Sequence, residues 1–411
     1  MWIIFDPFVF IFIGTSEYVL FHTGTQDYEV IPTSNNHPII QLLDELLVSS
    51  NMYSTEISKY ILGSKEYMQI LLNLRDRYFC DILPSNICSQ KPIALPPLLK
   101  IRNNYSNIQS NIELQDRNTV LNFFHELTIY VNGDCDKTCQ HCYDYHKQFP
   151  FCTKNQYKLD IFDIQKIESL IICPNLSVIN ILGGNVLMYE YLEQLLQIIS
   201  TRNPICSINI YIHLLNYDKQ KINKIRSIKN LHIHVLIDLK FFNNRQNTNS
   251  LQEILDSQLC SIDFICSSQE DVSLYENISQ SFNLTKCDMK PFYCSNEEFF
   301  VSNVFYTTDD ILKEKHTRKN IFINQSLNIF NYGKLIITSD KRILDGINGN
   351  HIGFLGEDVY TIIFKCLNKK SSWFKTRDSF SPCSDCAFKF LCPPISHYES
   401  ILKRYNFCAD K

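Results

Sequence analysis

From Glu126 onward the chain alternates between short apolar runs and longer stretches with helical spacing. Leu127–Val131, Val178–Leu182, Ile208–Ile212, Ile233–Ile237 and Ile262–Ile265 are rich in β-branched residues, which predicts strands. Between them, residues 161–172, 189–199 and 272–282 place apolar side chains three and four apart, which predicts helices. Strands separated by helices are βαβ units, and these build a parallel sheet. The pattern alone leaves a doubly wound sheet and a barrel both open. After about residue 296 the alternation stops, and Ile329–Ile337 predicts a hairpin turning near Asn331-Tyr332-Gly333.

The opening run, Trp2 to Ile13, is apolar enough to suggest an export signal. It lacks a basic leading region, carries Asp6 and Pro7, and has no small-residue cleavage site. With Gly14-Thr15-Ser16 and then Glu17–Phe21 behind it, it reads as two strands around a tight turn. A third strand is expected at Tyr28–Ile31, and helices at 39–47 and 66–75. The prolines of Lys91–Lys100 then exclude a helix interior, so a linker is expected. The organisation that follows is a small winged-helix-like module over 1–92 and a linker over 93–120. An α/β domain over 121–295 and a cysteine-rich region over 296–411 complete it.

Composition narrows the function classes. Of 411 residues 45% are hydrophobic, and the formal net charge is −4, which removes the basic footprint of a nucleic-acid binder. No later apolar run reaches the roughly 18 residues of a membrane helix, so neither membrane nor nucleic acid is an expected partner. The 17 cysteines change the picture most. An odd number cannot all pair within one chain. In the cytoplasm, the expected compartment, thiols stay reduced, and clustered ones serve as metal ligands or catalysts.

Cys135, Cys139 and Cys142 form a C-x3-C-x2-C group directly after the first strand of the α/β region. Ligand sites of βα folds are built at that end of the strands. Three thiolates on one loop can hold three irons of a [4Fe–4S] cube and leave the fourth open. A zinc knuckle that recruits Cys152 as fourth ligand is the competing reading of the same residues.

The spacing, with His141 just before the third cysteine, resembles the radical S-adenosylmethionine (SAM) superfamily. That resemblance implies a partial (β/α)6 TIM-like barrel and a [4Fe–4S] cluster whose open iron chelates SAM. It also implies an external electron donor and reductive cleavage of SAM to a 5′-deoxyadenosyl radical that abstracts hydrogen from substrate. The family's Gly-Gly-Glu-Pro turn, which receives the SAM amino group, reads here Gly183-Gly184-Asn185-Val186. The cofactor-binding candidates are therefore Gly183, Gly184, Asn185 and His141. Asn185 offers a neutral amide where the family has a carboxylate. Asn216 and Asp238 are weaker candidates at later strand ends. Tyr143, Tyr145 and His146 lie near the expected barrel mouth, with packing an equal reading, and no catalytic residue is assigned.

Cys383, Cys386 and Cys392, with Cys408, supply four more thiolates, suited to an iron–sulfur cluster or to zinc. Their pattern resembles the SPASM extension of radical SAM peptide maturases, implying one auxiliary [4Fe–4S] cluster. Ser396 stands where that pattern has a further cysteine. Cys287, Cys294 and Cys366 are left over, and Cys80, Cys88, Cys173, Cys206, Cys260 and Cys266 read as buried thiols.

Trp2–Phe10, Tyr145–Lys154 and Cys386–Tyr398 resemble the radical SAM/SPASM proteins of Bacteroidales double-glycine peptide systems, most of all their "pseudo-radical-SAM" companions. Two functions follow from the resemblance. One is an enzyme that modifies a ribosomally made precursor peptide through a SAM-derived radical. The other is a degenerate iron–sulfur scaffold that binds a precursor peptide or a second radical SAM maturase.

Overall fold

The computed structural model describes residues 1–33, 37–97, 117–239, 251–255, 260–284, 287–367 and 370–409. Among them the strands form three sheets.

The apolar opening run is cut in two. Asp6 and Pro7 make a turn in which the Asp6 carboxylate accepts from Phe8 N at 2.7 Å and the Asp6 carbonyl from Val9 N at 3.0 Å. The strand before the turn, β1 (Trp2–Phe5), lies between β5 (Ser54–Glu56) and β6 (Cys80–Leu83) in an antiparallel sheet. The strand after it, β2 (Val9–Ile13), pairs with β3 (Glu17–His22), which pairs with β4 (Asp27–Pro32). Successive strand residues face opposite ways, and here both ways are covered. Val9, Ile11, Tyr18 and Leu20 join a core with the helices Pro38–Leu47 and Lys65–Asp76. Phe10, Phe12, Val19 and Phe21 join another with Ile311, Ile321, Ala387, Phe388 and Leu391. A strand buried on both faces reads as an unbroken apolar run, and this accounts for the signal-like composition.

The hairpin thus docks on the cysteine-rich region. Thr15 N donates to Asp385 O at 2.9 Å, and Gln26 and His316 exchange two hydrogen bonds across 290 residues of sequence. Gly14 is required there, because an added Cβ would stand 2.7 Å from Ala387 N. Of the proline-punctuated segment, Ala94 pairs with Met52 O at 2.9 Å, and residues 98–116 lie outside the described ones.

The large sheet has the order β12-β11-β10-β9-β8-β7-β13-β14-β15. Strands β7 (Glu126–Tyr130), β8 (Val178–Leu182), β9 (Ser207–His213), β10 (Leu231–Asp238), β11 (Cys260–Cys266) and β12 (Cys287–Pro291) are parallel and lie in sequence order. Helices Ile161–Ile171, Leu192–Arg202, Lys219–Ile225 and Gln269–Ser281 connect them. The first and last of these start from reciprocal caps, Asp160 with Asp163 and Ser268 with Asp271, each worth about 1 kcal/mol. Strand β12 went unread in the sequence because it is polar and ends in proline, which an edge strand tolerates.

The hairpin expected at 329–337 lies one strand later. Residues 328–333 form turns, and β13 (Lys334–Ile337) joins β7 in parallel. It then folds back onto β14 (Arg342–Leu344), which pairs with β15 (His351–Phe354). No described helix is long and apolar enough to cross a membrane.

One face of the parallel sheet is wholly apolar: Leu127, Ile129, Ile179, Ile181, Ile208, Ile210, Val235 and Phe264 lie in the main core. The other face carries a polar ladder. Lys334 meets Glu126 at 3.1 Å, Asn180 donates to Glu126 at 2.8 Å, and Asn209 donates to Asn180 at 2.9 Å. Further along, Tyr211 stacks on His234, which lies 2.7 Å from Ser261. Burial raises the pKa of Asp263, and Lys290 at 3.7 Å opposes that rise.

Candidate functional site: two cysteine clusters

Parallel strands in sequence order bring their carboxyl ends to one edge. The loop after β7 carries Cys135, Cys139 and Cys142, and the turn after β8 carries Gly183, Gly184 and Asn185. Asn216 follows β9, and Asp238 ends β10. The first two loops interlock. Asn185 N donates to Asp134 O at 2.6 Å, Gly184 N to Asn132 O at 3.0 Å, and the Asn132 side chain to Asn185 O at 3.2 Å. Both glycines are required by this approach. A Cβ on Gly183 would collide with the Asn132 side chain, and one on Gly184 with the Asp134 carbonyl.

Asn216 joins a third strand end to the pair. Its amide nitrogen lies 3.6 Å from the Cys135 sulfur and 3.5 Å from Gly184 O. The three thiols face one another. Burial, and then Cys142 and Cys135 close by, push the Cys139 thiol up to about 12. Asn185 Oδ1 is buried with no hydrogen-bond partner among the described residues.

The segment after the cysteines fills the strand ends. Tyr145, Phe149 and Phe151 pack with Leu236, Ile265 and Phe292, with Cys139 and Cys152 against them. Tyr145, 1% exposed, donates to Asp238 at 2.5 Å, and burial followed by Asp238 raises its pKa. Tyr143 points to solvent at 62% exposed. His141 packs its ring 5.0 Å from that of Phe292 and leaves Nε2 buried without a partner. Burial, aided by Lys147, lowers the His146 pKa to about 4.

Beside these loops is a cavity of about 320 Å³, lined by Tyr130, His146, Thr153, Asn155, Ile336 and Arg342 among others. It adjoins the site because Thr153 N donates to Gly183 O and Asn155 N to Gly133 O, each at 3.2 Å. Sequence reasoning missed this cavity. Its lining comes from the loop after the cysteines and from β7, β13 and β14, which the sequence does not bring together.

The second cluster is a different construction. Cys383, Cys386, Cys392 and Cys408 line one tight cavity of about 30 Å³ with Arg377 and Phe388. A turn brings Cys386 N to Cys383 O at 3.1 Å, and Cys408 returns to the site because its neighbours pair with Tyr306. The Arg377 guanidinium lies 3.7 Å from the Cys383 sulfur and pairs with Glu399 at 2.8 Å. Burial opposes the Arg377 charge, but Glu399 and the thiols of Cys392 and Cys383 raise its pKa on balance. Burial pushes the Cys392 thiol up to about 12, with Arg377 working against it. Ser396 caps the helix His397–Leu402 in a reciprocal pair with Glu399.

Among the described residues no three His, Cys, Asp or Glu converge tightly enough for a single metal ion. A cube, whose ligands sit on separate irons, asks for a wider set. The donor chemistry fits that demand: four thiols around one cavity at the second site, and three thiols beside a two-glycine cradle at the first.

None of the 17 cysteines is in a disulfide. Cys80, Cys173, Cys206, Cys266 and Cys366 are buried, whereas Cys88 and Cys260, expected to be buried, are half-buried. Cys287 contacts Ser279 and Tyr275, and Cys294 touches the aromatic cluster.

No family model and no curated protein matches the chain. Among solved structures it is similar to Streptococcus suis SuiB bound to S-adenosylmethionine: 14% identity, 98% of this chain, 97% of that one, TM-score 0.47. SuiB bound to the precursor peptide SuiA gives 14% identity, 98% of each chain and TM-score 0.48. BtrN in complex with AdoMet and 2-DOIA gives 13% identity, 64% and 92% coverage and TM-score 0.30. At such distance the likeness decides nothing about cofactor or substrate, which rest on the residues of the two sites.

Proposed function

We propose that this chain is a radical SAM/SPASM-type iron–sulfur protein that acts in the maturation of a ribosomally made peptide. The observation that carries this reading is the interlocked pair of loops. Three thiols, a two-glycine cradle and the unpartnered Asn185 amide meet at the carboxyl edge of a sequential parallel sheet, beside a cavity of ligand size. The fold in this reading is a partial (β/α)6 barrel over 121–295 and a SPASM-like region over 296–411, with residues 1–92 as a peptide-binding module.

Cys135, Cys139 and Cys142 would hold one [4Fe–4S] cluster, and Cys383, Cys386, Cys392 and Cys408 an auxiliary one. When bound and reduced, the first cluster and SAM supply a 5′-deoxyadenosyl radical able to take hydrogen from a peptide. Gly183 and Gly184 let backbone carbonyls approach, and Asn185 Oδ1 would accept from the SAM amino group. Asn216 holds Cys135 in place, and His141 would lie beside the bound cofactor. The aromatic plug of Tyr145, Phe149 and Phe151 excludes water from the strand ends. Arg377 balances negative charge at the second site.

A second reading, a degenerate scaffold of the pseudo-radical-SAM kind that presents a peptide to a partner maturase, is favoured by Asn185. A neutral amide forfeits a charge-assisted bond worth about 1–3 kcal/mol to an ammonium. Anaerobic reconstitution followed by reduction with SAM separates the two. Deoxyadenosine from the wild type, and none from the Cys135→Ala/Cys139→Ala/Cys142→Ala variant, is expected for the enzyme. About eight irons per chain with no SAM cleavage would leave the scaffold.

A further inference from the structure

A fourth thiol stands at the first site. Cys152 packs on the same aromatic cluster as Cys139. The chain after it is tied across the cysteine loop at several points. Thr153 N reaches Gly183 O and Asn155 N reaches Gly133 O at 3.2 Å, Gly133 N reaches Tyr157 O at 2.9 Å, and Lys154 Nζ reaches Lys137 O at 2.8 Å. Cys152 is therefore held over the loop that carries the triad and beside the turn expected to receive SAM. Cys294 touches the same aromatic cluster from the far side, at the end of β12, with its backbone fixed by Asn296.

We infer that Cys152 is a fourth, displaceable thiolate ligand of the first cluster, closing in the resting protein the iron that SAM would otherwise occupy. The inference rests on the reading that Cys135, Cys139 and Cys142 hold a cluster. Four thiolates satisfy all four irons of a cube, as in closed electron-transfer sites. SAM then binds by exchange: one sulfur–iron bond breaks, nitrogen–iron and oxygen–iron bonds form, and the departing thiolate takes a proton from water. No electron moves in this step. The neutral Asn185, a weaker partner for SAM than a carboxylate, and the closing Cys152 act in one direction, since both lower the affinity for SAM.

The test uses the full chain, reconstituted anaerobically, as wild type, Cys152→Ala, Cys152→Ser and a Cys294→Ala control. An open iron is readily lost on mild ferricyanide oxidation, leaving a three-iron cluster with its own paramagnetic signal, whereas a fully ligated cube resists. The expected result is a several-fold stronger three-iron signal in Cys152→Ala than in wild type or Cys294→Ala. SAM should perturb the reduced-cluster spectrum of Cys152→Ala at about tenfold lower concentration than that of wild type. Cys152→Ser keeps a small polar group at the position, guards against a packing defect, and should shift the wild-type spectrum through oxygen ligation. Equal three-iron signals and equal SAM response in wild type and Cys152→Ala would overturn the inference while leaving the SAM-binding reading intact. If the iron content does not fall when Cys135, Cys139 and Cys142 are replaced, the reading beneath it fails instead, and the inference with it.

Discussion

The two cysteine clusters differ in what surrounds the sulfurs. At the second, four thiols enclose a space of about 30 Å³ and a buried guanidinium stands 3.7 Å from one of them. Arg377 and Glu399, 5% and 0% exposed, form an ion pair that would be costly to leave half-made. At the first, the groups in contact are neutral, the Asn216 amide, the Asn185 amide and two glycines, and charge stands further off, on Lys137 of the same loop and on Asp238, with about 320 Å³ of space alongside. A site that carries its own counter-charge and no spare room is built to hold a metal group and nothing else. A site with neutral donors and adjoining space leaves both charge and volume to be supplied by something that arrives. In the proposed reading, the second cluster would hold the structure and pass electrons, and the first would bind a ligand.

The largest effect should come from breaking the ion pair. Glu399→Ala is expected to cost about 3–5 kcal/mol in metal-free protein, read from urea unfolding, because it strands a buried charge. The loss should shrink in cluster-loaded protein, where thiolates replace the carboxylate as partner. An equal loss in both forms would mean that Arg377 does not answer to the cysteines. Gly184→Ala comes next. Crowding the Asp134 carbonyl should cost about 1–3 kcal/mol, and bound iron should fall from about eight to about four per chain as the first site alone is lost. Loss of iron from both sites would erase the contrast.

Asn185→Glu sharpens the comparison from the other side. Restoring a carboxylate opposite the SAM amino group should tighten SAM by roughly one to two decades in a spectroscopic titration. No change would move Asn185 away from that group.

The smallest effect concerns His397, on the capped helix of the second site. Burial, and then the Lys334 charge, lower its pKa to about 4. Its folded pKa lies below the unfolded value near 6.5, so the unfolded chain takes up the proton first as pH falls. Stability is complete above pH 6.5 and is lost toward pH 4, by about 0.7 kcal/mol between pH 7 and 6 for this one group. A His397→Gln variant should unfold with a correspondingly flatter pH dependence over that interval.

Much of the parallel sheet was legible because its strands are β-branched and its helices amphipathic, and the five strands expected from Leu127 to Ile265 match β7 to β11 within two residues. The grouping of the cysteines was legible because their spacing is local. What escaped was set by distant partners. Nothing near Phe10 and Phe12 reveals that Phe388 and Leu391 cover them, and the spacing that made Cys152 a possible fourth ligand does not show that it packs with Cys139 on the aromatic cluster. Asn216, a weak candidate in the sequence, gains its place only when the carboxyl ends of β7, β8 and β9 are set side by side. The polar ladder was visible in Asn180 and Asn209, but an isolated polar residue in an apolar strand has no address until its neighbours across the sheet are known.

The docking of the opening hairpin onto residues near Ala387 has a consequence for synthesis. Phe10, Phe12, Val19 and Phe21 leave the ribosome among the first residues of this sequence, and their cover is made only after some 300 more have been added. Throughout that interval an aromatic strand pair stands bare, the kind of surface that recruits chaperones and seeds aggregation. Because the covering segment runs through Cys386 and Cys392, completion of the hairpin's burial is tied to the segment that carries the second cluster.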